Sequence, residues 1–236
     1  MKQLMNNRCI EFALIFAKGM IVALLSMPLL GNSALAQQAS VQTDRVEAEL
    51  VSGMTHVVPG RVLDLALKLK PESGWHTYWK NPGDTGLPTK IYWQLPEGFK
   101  PGDIQWPVPE WIDYEGLTNF GFHDETWLLV PVAVPFDFPV SPNNDITIKA
   151  TAKWLVCREV CIPEQASFEL TLPVAAYSED TNAHASQWAN AISAAWQKTP
   201  LLREDIHAEY TLSEQFQVQV ESEKLPIIGQ KPRAFV

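Results

Sequence analysis

Residues 146–163 read ITIKATAKWLVCREVCIP, and this stretch sets both the fold class and the chemistry. Ile146, Ile148, Ala150, Ala152 and Trp154 alternate with Thr147, Lys149, Thr151 and Lys153. A period of two places the apolar set on one face of a pleated strand and the polar set on the other. The same alternation recurs upstream, where Leu63, Leu65, Leu67 and Leu69 are interleaved with Val62, Asp64, Ala66 and Lys68, and downstream in Phe168, Leu170 and Leu172. Arg45 to Val51, Thr89 to Leu95 and Thr126 to Val134 are further strand candidates. Turns such as Asn81-Pro82-Gly83-Asp84 and Leu95-Pro96-Glu97-Gly98 separate them. Short half-buried strands at this spacing predict an all-β chain folded as an antiparallel β-sandwich.

One helical pattern interrupts the strands. Trp188, Ile192 and Trp196 recur at i, i+4 and i+8 within Ala185 to Lys198, which predicts a helix after the last sandwich strand. Beyond Pro200 the strand pattern resumes with Tyr210, Leu212, Phe216, Val218 and Val220. The expected organisation is a leader over residues 1–36, a β-sandwich domain over 37–178, a helical linker over 179–200, and a partial β unit over 201–236. That last segment either opens a second β domain or adds a strand pair to the first.

The leader reading rests on Lys2 and Arg8, followed by the apolar run Gly19 to Leu30 and the small-x-small site Ala34-Leu35-Ala36. Cleavage is expected after Ala36. The run is short for a membrane span and Lys18 interrupts its upstream extension, so a cleaved leader is favoured over an uncleaved anchor, and no stable membrane insertion is expected after cleavage. Three of the 18 basic and one of the 27 acidic residues lie in the leader, leaving the remainder at a net charge of −11. With no basic run interleaved with aromatics, nucleic acid is excluded as a partner. The product is an acidic, exported protein expected in the periplasm.

Export changes how the cysteines read. Of three, Cys9 leaves with the leader, so Cys157 and Cys161 remain in an oxidising compartment. Residues four apart in a straight strand lie about 13 Å apart, beyond the roughly 4.4 to 6.8 Å between Cα atoms that a disulfide spans. The chain must therefore turn or bulge at Arg158-Glu159-Val160, with both sulfurs at the rim of the sandwich. So small a ring contributes only about 2 kcal/mol as a staple. A pair at an accessible edge suits thiol:disulfide exchange better than stabilisation. Of the two, Cys161 is taken as the sulfur that reaches other proteins, because nearby Pro163 lacks an N–H and leaves the backbone free of a ladder bond. Arg158 favours a thiolate and Glu159 opposes it.

Other polar residues have plainer readings beside functional ones. His76, between Trp75 and Tyr78, is a thiolate partner or, more simply, a hydrogen-bonded structural histidine. His123 and Asp124, in Asn119-Phe120-Gly121-Phe122-His123-Asp124, sit in a glycine-containing loop, as a cap over the thiols or as ordinary turn residues. Asp84 belongs to a loop whose proline and glycines answer to backbone shape. No phosphate loop, Ser/His/Asp order or paired catalytic carboxylates is present, and no cofactor is expected.

Three ordered blocks carry a family resemblance: Gly74-Trp75-His76-Thr77-Tyr78-Trp79-Lys80-Asn81-Pro82-Gly83-Asp84-Thr85-Gly86-Leu87-Pro88-Thr89, then Ile104-Gln105-Trp106-Pro107, then Trp154 through Pro163. Over roughly residues 42–175 the chain resembles the N-terminal periplasmic domain of DsbD-type thiol:disulfide interchange proteins, particularly the ScsB-like branch linked to copper tolerance. The resemblance implies an immunoglobulin-like sandwich acting as a protein-disulfide reductase module. Its cysteine pair, matched by Cys157 and Cys161 as the catalytic residues, would take electrons from a membrane-embedded donor domain and pass them to thioredoxin-like periplasmic proteins. The spacing of three residues between the cysteines is shorter than in the best-known enterobacterial member. Two other readings stay open. One is a Cu(I)-binding module using both thiolates with a His or Met, against which only Met54 remains after the leader. The other is a non-enzymatic interaction sandwich with a structural disulfide.

Overall fold

The computed structural model describes residues 39–141, 144–178, 184–200, 206–212 and 216–222. The expected leader with its cleavage site, residues 179–183 of the expected linker, and residues 201–205, 213–215 and 223–236 of the last segment lie outside the described residues. In chain order the elements are β1 (Ser40–Gln42), β2 (Val46–Ser52), β3 (Val62–Pro71), β4 (His76–Gly83), β5 (Lys90–Gln94) and β6 (Lys100–Pro101). They continue with β7 (Glu110–Tyr114), β8 (Leu117–Phe122), β9 (Thr126–Ala133), β10 (Asp145–Cys157) and β11 (Cys161–Pro173). The helix α1 (Ala189–Trp196) and the strands β12 (Ile206–Leu212) and β13 (Phe216–Ser222) complete them.

Two antiparallel sheets form the immunoglobulin-like sandwich. One has the order β1-β2-β3-β9-β6, the other β11-β10-β4-β8-β7, with β5 pairing β10 beyond the reach of β4. The alternation read in the sequence decides what lies between them. Leu63, Leu65, Leu67 and Leu69 of β3 meet Ile146, Ile148, Ala150, Ala152 and Trp154 of β10 and Ala166, Phe168, Leu170 and Leu172 of β11 in a single buried core. Large apolar side chains of this kind each contribute about 1.5 to 3 kcal/mol when fully buried. The β10–β11 ladder is in register over thirteen pairs, from Asp145 with Pro173 to Cys157 with Cys161.

The outer face of the first sheet is covered too. Val51, Ala66 and Leu129 pack against Ile192 and Ala195 of α1, with Trp127, Trp188 and Trp196 around them. That cover explains how Lys68 is buried on a face expected to be solvated: its ammonium pairs with Glu49 at 2.8 Å and lies 5.0 Å from the Trp188 ring centroid. The helix is shorter than the expected Ala185 to Lys198. Residues 184–186 are instead held against the end of β2, where Ala185 bridges Met54, the Ser186 N–H donates to the Gly53 carbonyl and the Ser186 hydroxyl donates to the Ser52 carbonyl. Tertiary hydrogen bonds there replace the first helical turn.

Two further regions depart from the sequence pattern. Asn81-Pro82-Gly83 predicts a turn, yet β4 runs through Gly83, which pairs with Asn119 across an irregular register. The loop expected at Asn119 to Phe122 is β8, and only His123 and Asp124 form the bend that follows it. Close approach of β4 and β8 depends on Gly121, where a Cβ would collide with the Thr77 carbonyl. Strands β12 and β13 pair with each other over seven residue pairs as a two-stranded sheet, where the sequence after Pro200 predicts strand.

Candidate functional site

The site forms at one end of the second sheet. Strand β10 is internal there, with Cys157 opposite Cys161 on one side and opposite His76 of β4 on the other. Strand β11 is at the sheet edge. Residues 158–160 turn the chain, and the Arg158 N–H donates to the Val160 carbonyl. Cys157 and Cys161 form a disulfide with Cα atoms 4.1 Å apart. Their settings differ: Cys157, on the internal strand, is 2% exposed, whereas Cys161, on the edge strand, is exposed.

Tyr78 and His76 lie two residues apart on β4 and therefore on one face. The Tyr78 hydroxyl lies 3.7 Å from the Cys161 sulfur and 3.3 Å from Nε2 of His76. A disulfide sulfur carries no hydrogen, so in the contact with sulfur the tyrosine O–H is the donor. Its ring is seated by Gly86, whose φ is +95° and whose hydrogen occupies the place where a Cβ would collide with the aromatic carbons. The loop holding Gly86 is fixed by Asn119, whose Oδ1 accepts from both the N–H and the hydroxyl of Thr85.

Behind Tyr78 the polar chain continues. The His76 ring meets the Tyr78 ring edge-on at 5.1 Å and the His123 ring at 5.3 Å. Nδ1 of His123 is 2.8 Å from a carboxylate oxygen of Glu110 on β7, both being well exposed. Burial first, and the neighbouring His123 second, lower the pKa of His76 to about 4 against a smaller opposing effect of Glu110, so His76 is neutral at pH 7. Burial likewise raises the pKa of Tyr78 above its ordinary value, keeping the hydroxyl protonated.

The rim around the disulfide is partly apolar. Val160, in the turn between the cysteines, is 63% exposed. A cleft of about 380 Å³ is lined by Leu87, Tyr92, Leu155 and Pro163 together with Lys90 and Lys153. From the β7–β8 hairpin, the Tyr114 hydroxyl reaches the turn and donates to the Glu159 carbonyl at 3.3 Å. Arg158 is engaged elsewhere than at the sulfurs. Its guanidinium lies 5.3 Å from the Trp75 ring centroid and 3.4 Å from the Glu159 carboxylate.

The other polar residues of the sequence motifs divide between site and scaffold. His123 joins the site through His76, while Asp124 is a bend residue whose carbonyl accepts from the Thr126 hydroxyl. Asp84 accepts from the Thr118 N–H and belongs to the loop architecture. Tyr78 and Glu110 enter the site without having stood out as candidates in the sequence. The only signal for Tyr78 is its two-residue offset from His76, and none marks Glu110. Among the described residues no group of three or more His, Cys, Asp and Glu side chains converges as metal ligands.

Residues 47–173 match the family model described as thiol:disulfide interchange protein DsbD, N-terminal. The chain belongs to this family. Among solved structures, this DsbD-type domain is similar to the N-terminal periplasmic domain of ScsB from Proteus mirabilis, at 18% identity and a TM-score of 0.56, over 80% of this chain and 70% of that one. It also matches the DsbD N-terminal domain of Neisseria meningitidis in its reduced form, at 14% identity and a TM-score of 0.35, over 52% of this chain and 83% of that one. No curated protein sequence matches. The likeness to the ScsB domain carries the shared sandwich fold. Among the described residues no helix is long and apolar enough to cross a membrane.

Proposed function

We propose that this DsbD-type domain is a periplasmic thiol:disulfide exchange module that relays electrons through Cys157 and Cys161, from a membrane-embedded donor domain to thioredoxin-like clients. The observation that carries the reading is the disulfide at the end of the β10–β11 ladder, with one cysteine buried and its partner on an exposed edge. Exchange needs this asymmetry, because one sulfur must be reached in line by a foreign thiolate while the other waits beside it to resolve the mixed disulfide. The ScsB-like branch supports extending the same role to copper stress.

In the reductive half, a donor thiolate attacks the Cys161 sulfur, a donor–Cys161 disulfide forms, and Cys157 leaves as a thiolate. The donor's second thiolate then attacks the donor's own sulfur in that mixed disulfide, releasing Cys161 as a thiolate and leaving the donor oxidised. Two electrons have passed, and each thiolate takes a proton from solvent according to its pKa. Delivery to an oxidised client runs the same steps in reverse, with Cys161 as the attacking thiolate. Exposed Val160, Leu87 and Tyr92 supply apolar surface for a partner to cover.

Equilibration of the full chain against glutathione buffers tests the reading. A potential between about −270 and −120 mV is expected, the span of known exchanging pairs. A value below about −300 mV overturns it in favour of a structural bridge. Tight stoichiometric binding of Cu(I) by the reduced protein, with no exchange, overturns it in favour of a metal module.

A further inference from the structure

The pair His76 and His123 takes no part in the exchange steps themselves, yet it connects the redox site to the surface. Resting on the exchange reading, we propose that His76 is a positioning residue for Cys161: its ring holds the Tyr78 hydroxyl so that the O–H points at the Cys161 sulfur, and the His123–Glu110 pair holds the ring.

Hydrogen-bond supply decides the arrangement. Tyr78 has a single hydroxyl hydrogen and three polar neighbours, the Cys161 sulfur at 3.7 Å, Nε2 of His76 at 3.3 Å and the Thr85 side chain, whose own hydroxyl donates to Oδ1 of Asn119. If Nε2 is bare, it is the stronger acceptor and draws the hydroxyl hydrogen away from sulfur. If Nε2 carries the hydrogen, it donates to the tyrosine oxygen, and the O–H is left for the sulfur. The second arrangement gives both the tyrosine oxygen and the sulfur a donor in a buried setting, where an unmet donor or acceptor is costly. It becomes most favourable when Cys161 is a thiolate, since a hydrogen bond to a charged acceptor is about twice as strong as a neutral one.

Tyr78 is then a catalytic residue, touching the atom that leaves or attacks, and His76 acts through it. The groups facing His76 are Tyr78 on its own strand, His123 and Glu110 from the β7–β8 hairpin and the bend after it, and the cysteine pair on β10 and β11. Because His76 is neutral at pH 7, it brings no positive charge to the thiolate. Stabilisation comes through the hydroxyl alone, which distinguishes this arrangement from a thiolate–imidazolium pair.

The test is the pH dependence of Cys161 alkylation by iodoacetamide in the reduced full chain, read by peptide mass. His76→Phe and Tyr78→Phe are each expected to raise the midpoint by about one pH unit, with no further rise in the double variant. His76→Gln, which returns an N–H, is expected to restore most of the shift. A His76→Phe midpoint equal to that of the parent overturns the proposal, and so does full additivity in the double variant. Should His76→Phe fail to refold, the exposed His123→Ala variant reads the same relay: a raised midpoint sustains it and an unchanged one overturns it. Parent protein that does not exchange with oxidised glutathione points to failure of the exchange reading, whereas exchange with an unmoved midpoint refutes the relay alone.

Discussion

Cys157 and Cys161 are register partners at the last rung of the β10–β11 ladder, and they sit on opposite sides of the boundary between an internal strand and a sheet edge. This difference in burial assigns them different work. Cys157→Ala is therefore expected to trap a mixed disulfide between Cys161 and a thioredoxin-like dithiol protein, visible as a shifted band on non-reducing gels. Cys161→Ala is expected to trap little, because Cys157 is 2% exposed. A reversed pattern assigns attack to the buried sulfur and refutes this order.

Folding is expected to survive loss of the bridge. Its ring restricts the unfolded chain by only about 2 kcal/mol, while the thirteen-rung β10–β11 ladder and the leucine face of β3 hold the sandwich. A Cys157→Ala, Cys161→Ala double variant is expected to melt cooperatively with Tm lowered by roughly 4 to 8 °C. Loss of a cooperative transition in calorimetry would show a structural bridge instead.

Gly86 and Gly116 offer a controlled comparison. Both have positive φ, but a Cβ at Gly86 collides with the Tyr78 ring, whereas one at Gly116 meets nothing within 4 Å. Gly116→Ala is expected to cost about 1 kcal/mol from backbone strain alone. Gly86→Ala is expected to cost roughly 2 to 4 kcal/mol and also to slow exchange with glutathione, because the hydroxyl beside Cys161 moves with the ring. Equal losses in both variants would mean that Tyr78 is not seated by Gly86.

Glu164 ties the two sheets together three residues beyond Cys161. Its carboxylate accepts from the Thr43 hydroxyl, the Arg45 N–H at 2.9 Å and Nε1 of Trp154 at 3.1 Å. Glu164→Ala strands those donors and is expected to lower stability by about 1 to 3 kcal/mol in urea titration. Little change in the midpoint would show that water replaces the carboxylate.

The pH dependence of stability carries the mark of His76. Its folded pKa, about 4, lies below the ordinary value of 6.5, so between those values the unfolded chain binds the extra proton. The contribution is fully present above about pH 6.5 and is lost as pH falls toward 4, to a limit of roughly 3 kcal/mol. Melts from pH 7 to pH 4 are expected to fall more steeply in the parent than in His76→Phe. Parallel slopes would place the histidine in solvent.

The sandwich is legible in the sequence because Leu63 to Leu69 and Ile146 to Trp154 each bury one face, and burial on one face leaves a period of two. Cysteines four apart in a strand pattern require the turn at 158–160. Strands β4 and β8 escape that reading because Trp79, Phe120 and Phe122 form a third apolar cluster, so the burial of these strands does not alternate. The helix begins late because Ala185 and Ser186 find partners on β2 and its end that no local pattern announces. The sequence by itself thus determined the strand faces and the place of the sulfurs, both set by spacing along the chain. Tertiary structure alone decided that Tyr78, 83 residues from Cys161, supplies its hydroxyl, since contacts between distant strands depend on register and not on local order.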